Sequence, residues 1–176
     1  LVSAGRIAPP LLGLNSFECR WTESRSWWLR REFAIPSSWA RSDLVELEMH
    51  GLDSNAEVFL NRTHIGGHRN VFRPFVADVT SILSASQNDL LVSLTAGVES
   101  VSELDTDHCD GVRASTEAGN GRPERGDARR IFARKPQYSW GWDWSPRVAT
   151  TAIAGDVLLR AMDRACVRDV VLHPER

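Results

Sequence analysis

Apolar and polar residues alternate with a period of two along much of the chain. Such alternation predicts β-strands, because successive side chains of a strand point to opposite faces of its sheet. The clearest example is 44–50, in which Val45, Leu47 and Met49 alternate with charged or polar residues. The other segments with this pattern are 27–35, 56–60 and 90–96, and later strands are predicted at 130–134, 148–153 and 156–162. Asn61 and Arg62 are predicted to form a turn.

Short strands separated by turn residues, without a long amphipathic helix, predict an all-β jelly roll or β-sandwich. The segment 97–127 is polar and glycine-rich, and it predicts one long loop. Residues 166–173 are predicted to form one more strand, just after the strand at 156–162. We therefore expect one domain over 1–163 and the opening of a following, truncated domain over 164–176.

Length and charge exclude several classes of protein. The chain has 176 residues and a formal net charge of −2, with no basic face of the kind that nucleic acid requires. It has no apolar run near the roughly 20 residues of a membrane helix. A (β/α)8 barrel typically needs about 250 residues. The first residues lack a Met and a signal-peptide core, so we expect a piece of a longer chain, and the compartment stays open.

No metal, cofactor or disulfide framework is predicted. The three cysteines, Cys19, Cys109 and Cys166, are odd in number and widely spaced. Acids crowd around His108, but Thr116 stands where a calcium loop beginning at Asp105 would need its glutamate. The acids are Asp105, Asp107 and Asp110. Asn61 begins a glycosylation sequon, and its use depends on secretion. Asp53, like His64 and His68, is expected in a turn.

The segment 134–147 carries the candidate chemistry. Trp140, Trp142 and Trp144 are three of the seven tryptophans of the chain, and they enclose one acid, Asp143. Indole rings pack on the C–H face of a sugar, and a carboxylate accepts hydrogen bonds from its hydroxyl groups. The alternative is a core strand rich in tryptophan.

Two regions resemble glycoside hydrolase family 2. The first includes Gly51-Leu-Asp-Ser-Asn-Ala-Glu-Val-Phe-Leu-Asn61 and Gly67-His-Arg-Asn-Val-Phe-Arg-Pro-Phe75, and resembles the sugar-binding domain that its β-galactosidases and β-glucuronidases also have. The second, Arg134-Lys-Pro-Gln-Tyr-Ser-Trp-Gly-Trp-Asp-Trp-Ser-Pro-Arg147, resembles the signature that closes this domain in β-mannosidases. Ser145 and Pro136 depart from the usual Gly and Ala. Serine would be strained there if the position required a positive φ.

The resemblance implies a galactose-binding-domain-like β-sandwich that belongs to an exo-acting, retaining β-mannosidase. Trp142 and Asp143 would bind the terminal mannose of a β-mannoside glycan. The residues implied to support this loop are Arg134, Lys135, Gln137, Tyr138, Trp140 and Trp144. The two catalytic glutamates of the family lie on a (β/α)8 domain, so no residue here is assigned as catalytic. Arg134 and Lys135 are expected in ordinary surface salt bridges, with bracing of the loop as the alternative.

The backbone is expected to be irregular from Gly141 to Ser145. In a regular strand the three tryptophans would share one face and Asp143 would lie on the other, so both kinds of group reach one ligand only if the chain bends. Two other functions stay open. The chain would be a free-standing carbohydrate-binding module if it binds sugar alone, or a structural β-sandwich of another family 2 glycosidase if its tryptophans only pack.

Overall fold

The computed structural model describes residues 1–101, 128–142, 144–168 and 170–174. The strands in these residues are β1 Trp27–Phe33, β2 Leu44–Met49, β3 Leu52–Asp53, β4 Asn55–Leu60, β5 Thr63–His68, β6 Phe75–Asp78, β7 Asn88–Thr95, β8 Ala152–Ile153 and β9 Val157–Met162. One short α-helix, α1 Asn15–Glu18, precedes them. The 3₁₀ helices are Arg20–Ser24, Ser37–Arg41, Ala128–Phe132 and Gln137–Trp140.

The strands form a β-sandwich, as the sequence predicts. The larger sheet has the antiparallel order β1-β7-β4-β5, and the smaller has the order β6-β2-β9. A third pair, β3 with β8, aligns Leu52 with Ile153 and Asp53 with Ala152. No helix in the described residues is both long and apolar enough to cross a membrane.

Alternation of apolar residues builds the core between the two larger sheets. Every second side chain of β2, β4 and β7 is buried, so these strands and their inward faces are confirmed. The inward residues are Val45, Leu47 and Met49, then Ala56, Val58 and Leu60, then Leu90, Val92 and Leu94. Burying each of the Val, Leu and Met side chains stabilises the fold by about 1.5–3 kcal/mol before entropy is counted.

The predicted turn at Asn61 and Arg62 is confirmed. Both residues have a positive φ, of 50° and 69°, as a two-residue turn between antiparallel strands requires. The Asn61 amide nitrogen donates to the carbonyl oxygen of Ile82 and to Oδ1 of Asn88, each at 2.8 Å. Its Oδ1 accepts the backbone N–H of Asp89. The side chain of the sequon asparagine therefore fastens this turn to its neighbours.

Several predicted elements are wrong. Residues 130–134 are not a strand: the chain forms the 3₁₀ helix Ala128–Phe132. Only Ala152–Ile153 of the segment 148–153 is a strand, because just these residues face β3. The described residues of 166–173 form no strand, since no neighbouring strand supplies hydrogen-bond partners. His64 and His68 lie on β5 rather than in a turn.

Candidate functional site

Residues 134–147, here called the aromatic loop, follow the 3₁₀ helix Ala128–Phe132 and precede β8. A second 3₁₀ helix, Gln137–Trp140, ends at Gly141, whose φ of 98° suits glycine. The Trp142 N–H then donates to the Ser145 carbonyl oxygen at 2.9 Å, and the Ser145 N–H donates back at 3.2 Å. The predicted irregular backbone is thus confirmed for the described residues. Asp143 lies outside them.

The three tryptophans of the aromatic loop face different surroundings. Trp140 is completely buried in a second core cluster with Ala96, Val98, Ala133 and Ala149. Trp142 is 36% exposed and Trp144 is 70% exposed. The core interpretation of the stretch is therefore correct for Trp140 alone. The other two indoles are available on the surface.

Two further side chains stand beside the exposed indoles. The Tyr138 and Trp144 rings have centroids 5.3 Å apart and are tilted by 42°. The buried guanidinium of Arg130 lies 5.8 Å from the centroid of the Trp142 ring, within reach of a cation–π interaction. Arg130 also donates to the Gly141 carbonyl oxygen at 3.4 Å. The tip of the loop thus presents Tyr138, Trp142 and Trp144, with a cation behind Trp142.

Lys135 is buried, and its partner is Asp53. Its Nζ lies 2.5 Å from Asp53 Oδ1, and the two side chains are 0% and 10% exposed. Nζ also donates to the Thr150 carbonyl oxygen, and the Thr150 hydroxyl donates to Asp53 Oδ2 at 2.7 Å. A surface salt bridge is therefore the wrong prediction for Lys135. Asp53 is likewise not a turn residue, since it lies at the end of β3 under the loop.

Burial sets the ionisation of this lysine. Removal from water lowers the pKa of Lys135 from its ordinary value, because a low-dielectric surrounding disfavours the ammonium form. The Asp53 carboxylate opposes that effect through charge and through its hydrogen bond. Both carboxylate oxygens of Asp53 are engaged, which is what a buried ion pair requires.

A second ion pair fastens the far end of the loop. Arg147 donates from Nη2 and Nε to the two carboxylate oxygens of Glu23, at 2.7 and 3.1 Å. The Arg147 guanidinium carbon lies 5.6 Å from the centroid of the Trp140 ring, and Lys135 Nζ lies 5.8 Å from it. Trp140 is thus in contact with two cations, each held by a carboxylate from a distant part of the chain.

Comparison with known proteins assigns this architecture to a family. Residues 1–155 match the model of the glycosyl hydrolase 2 galactose-binding domain-like family. The chain belongs to this family. Beta-mannosidase B of Neosartorya fischeri is 32% identical over 163 residues, which are 90% of this chain and 18% of that protein. Beta-mannosidase B of Aspergillus niger is 32% identical over 157 residues, which are 87% of this chain and 17% of that protein.

A solved structure gives the same result. The crystal structure of β-D-mannosidase from Dictyoglomus thermophilum matches with a TM-score of 0.76 and 29% identity, over 93% of this chain and 19% of that one. The chain therefore spans about a fifth of the length of the relatives it matches. The resemblance of the sequence to this family of glycosidases is confirmed, as is the fold that it implies.

The remaining residues of the family signature contact the backbone. Gln137 Nε2 donates to the carbonyl oxygens of Arg130 and Lys135, at 3.0 and 3.3 Å, and so joins the two 3₁₀ segments. The side chain of Arg134 is exposed, but its carbonyl oxygen accepts the Val71 N–H at 3.0 Å. Gln137 and the backbone of Arg134 thus tie the loop to its surroundings.

The two departures from the family signature are accommodated. Ser145 is not among the described non-glycine residues with a positive φ, which are Asn61, Arg62 and Arg164. The strain that serine would suffer at a positive φ is therefore absent. Pro136 has a φ of −52° just before the helix Gln137–Trp140, which is a favoured conformation for proline.

Sequence reasoning missed the residues that hold the loop from elsewhere in the fold. Asp53 is 82 positions from Lys135, and Glu23 is 124 positions from Arg147. No local pattern connects partners that far apart. Among the described residues, no cluster of three or more His, Cys, Asp or Glu side chains is arranged to hold a metal ion. The acids from Asp105 to Asp110 lie outside the described part.

Proposed function

We propose that this domain forms one wall of the sugar pocket of an exo-acting, retaining β-mannosidase. Trp142 packs against the terminal mannose of a β-mannoside, and Asp143 accepts hydrogen bonds from its hydroxyl groups. The two catalytic glutamates belong to a (β/α)8 domain of the same polypeptide. Residues 164–176 lead into an intervening, immunoglobulin-like domain. In this proposal the domain binds and orients substrate but performs no bond cleavage.

The proposal depends on the different exposure of the three tryptophans in the aromatic loop. One indole of the loop is completely buried, while Trp142 and Trp144 are presented at its tip. Two ion pairs hold the base of this loop in place. A rigid base with exposed aromatic rings is the arrangement that sugar recognition requires, because the ring faces must be in position before the ligand arrives. Membership of the family and the names of its relatives support a β-mannoside as the proposed substrate class.

The test is kinetic and uses the full-length protein. Hydrogen bonds to a charged group contribute about 1.5–3 kcal/mol, so Asp143→Asn should lower kcat/KM for a β-mannoside by roughly 10- to 100-fold. Trp142→Ala should lower it as well. Trp28→Ala removes a 57% exposed indole from β1 and serves as the matched control. If Asp143→Asn and Trp142→Ala both have normal stability and unchanged kcat/KM, the proposal is wrong.

The isolated chain distinguishes this proposal from a carbohydrate-binding module. A pocket wall makes only part of the contacts to a sugar, so the 176-residue chain should show no saturable binding of mannobiose at millimolar concentration. Saturable binding that Trp142→Ala abolishes would favour the free-standing module instead. Titration calorimetry with mannobiose measures this directly.

A further inference from the structure

We propose that Asp53 and Lys135 are positioning residues: their buried ion pair sets where the tip of the aromatic loop stands relative to the sandwich. This inference rests on the proposed function, since it concerns the orientation of the same pocket wall. It assigns a role to Asp53, which lies at the end of β3 and 82 positions from its partner.

The arrangement of the pair is better suited to fixing geometry than to adding stability. A lysine side chain that is 0% exposed is costly to remove from water, and apolar residues of similar volume often stabilise a fold at least as well. A hydrogen-bonded ion pair, unlike an apolar contact, restricts the orientation of both side chains. Lys135 Nζ donates both to Asp53 and to the Thr150 carbonyl oxygen, while the Thr150 hydroxyl donates to the other carboxylate oxygen. Together these bonds favour one placement of the Lys135 side chain.

A short path of contacts connects this pair to the exposed indole. Lys135 Nζ lies 5.8 Å from the centroid of the Trp140 ring, on which Arg147 also packs. Trp140 ends the 3₁₀ helix, and Gly141 turns the chain directly into Trp142. Because Trp140 is completely buried, a change in its position is transmitted through this turn to Trp142.

The first experiment observes the tip of the loop in this chain. Incorporation of 5-fluorotryptophan gives one ¹⁹F resonance for each of the seven tryptophans, assigned by single Trp→Phe variants. The variants are Asp53→Asn, Lys135→Met and their combination, which removes both charges and serves if a single variant does not fold. The readout is Trp142, because removal of the lysine charge changes the Trp140 resonance directly.

The expected result is a shifted or broadened Trp142 resonance in each variant. Leu47→Ala is the matched control: it opens a cavity in the main core, away from the loop, and should leave the Trp142 resonance in place. A Trp142 resonance that stays unchanged when the ion pair is removed would overturn the proposal. So would a shift of the same size in Leu47→Ala, since the effect would then report general loosening of the fold.

The second experiment uses the full-length protein and separates this inference from the proposed function. A displacement of about 1 Å can cost roughly 100-fold in rate, so Asp53→Asn should lower kcat/KM at least tenfold. Leu47→Ala should leave kcat/KM unchanged under conditions in which the protein is fully folded. If Trp142→Ala lowers kcat/KM and Asp53→Asn does not, the positioning role of the ion pair is wrong, while the proposed pocket-wall function is supported. If Trp142→Ala does not change kcat/KM but the Trp142 resonance still responds to Asp53→Asn, the proposed pocket-wall function is wrong, while the coupling between the ion pair and Trp142 is supported.

Discussion

Alanine substitution of the three tryptophans in the aromatic loop should cost very different amounts of stability. Trp140→Ala, Trp142→Ala and Trp144→Ala are chemically identical changes within five residues. In the structure the three indoles are 0%, 36% and 70% exposed. The series therefore measures burial with the chemistry held constant.

The magnitudes follow from the contacts. Removing a fully buried tryptophan costs about 3–5 kcal/mol, and Trp140 also loses two cations that face its ring. For Trp142 the partial burial and the contact with Arg130 predict a loss of about 1–2 kcal/mol. Trp144 contributes little beyond its contact with Tyr138, so we expect at most about 1 kcal/mol. A domain of this size is stable by about 5–15 kcal/mol in total.

Urea unfolding followed by far-UV circular dichroism measures this series, because backbone amides dominate the signal and tryptophan fluorescence is not needed. A common m-value should describe all variants, with midpoints in the order Trp144→Ala, Trp142→Ala, Trp140→Ala from highest to lowest. If Trp140→Ala does not fold, Trp140→Phe replaces it in the series. Equal losses at the three positions would refute the reasoning, since a regular strand places all three rings on one face.

Three further predictions concern other parts of the chain. Asn61 uses its amide nitrogen for two internal hydrogen bonds, so expression in a glycosylating host should give no mass loss on glycosidase treatment. The hydrogen bond from Arg160 lowers the pKa of Glu48 below its ordinary value of 4.5. The Glu48 carboxylate therefore stabilises the fold above pH 4.5, and this stabilisation is lost as the pH falls through the lowered pKa. Glu48→Gln should reduce the loss of unfolding free energy at acidic pH. Burial lowers the pKa of Lys135 below its ordinary value of 10.5, so between that lowered pKa and 10.5 the unfolded state binds more protons than the folded state. The free energy of unfolding therefore rises with pH in this range, and Lys135→Met should remove that rise.

The sandwich could be predicted from the sequence because its strands carry their own signal. The period of two in 44–50, 56–60 and 90–96 reports which side chains face the core, and that information is local. The Asn61–Arg62 turn was predictable for the same reason, since the tolerance of asparagine for a positive φ is a property of the residue. The predicted strands that do not form lie where no neighbouring strand is available for pairing, as at 130–134.

The base of the aromatic loop could not be predicted from the sequence. A lysine in a polar stretch is exposed in most proteins, and nothing near Lys135 in the sequence indicates a buried carboxylate. Its partner comes from β3, which is only two residues long and is recognised by its pairing with β8. Tertiary contacts, which a local pattern does not contain, decide the burial of both charges.

The turn at Gly141 explains how one short stretch both anchors and displays aromatic rings. If the chain continued as a strand, a buried Trp140 would force Trp142 and Trp144 into the same core. The 3₁₀ helix Gln137–Trp140 ends instead in a glycine with a φ of 98°, and the hydrogen bonds between Trp142 and Ser145 turn the chain at once. The side chain that holds the loop is thereby separated from the side chains that remain free to meet a ligand. Because a Cβ at that φ is strained, Gly141→Ala should disturb the display of Trp142 while leaving the sandwich core intact.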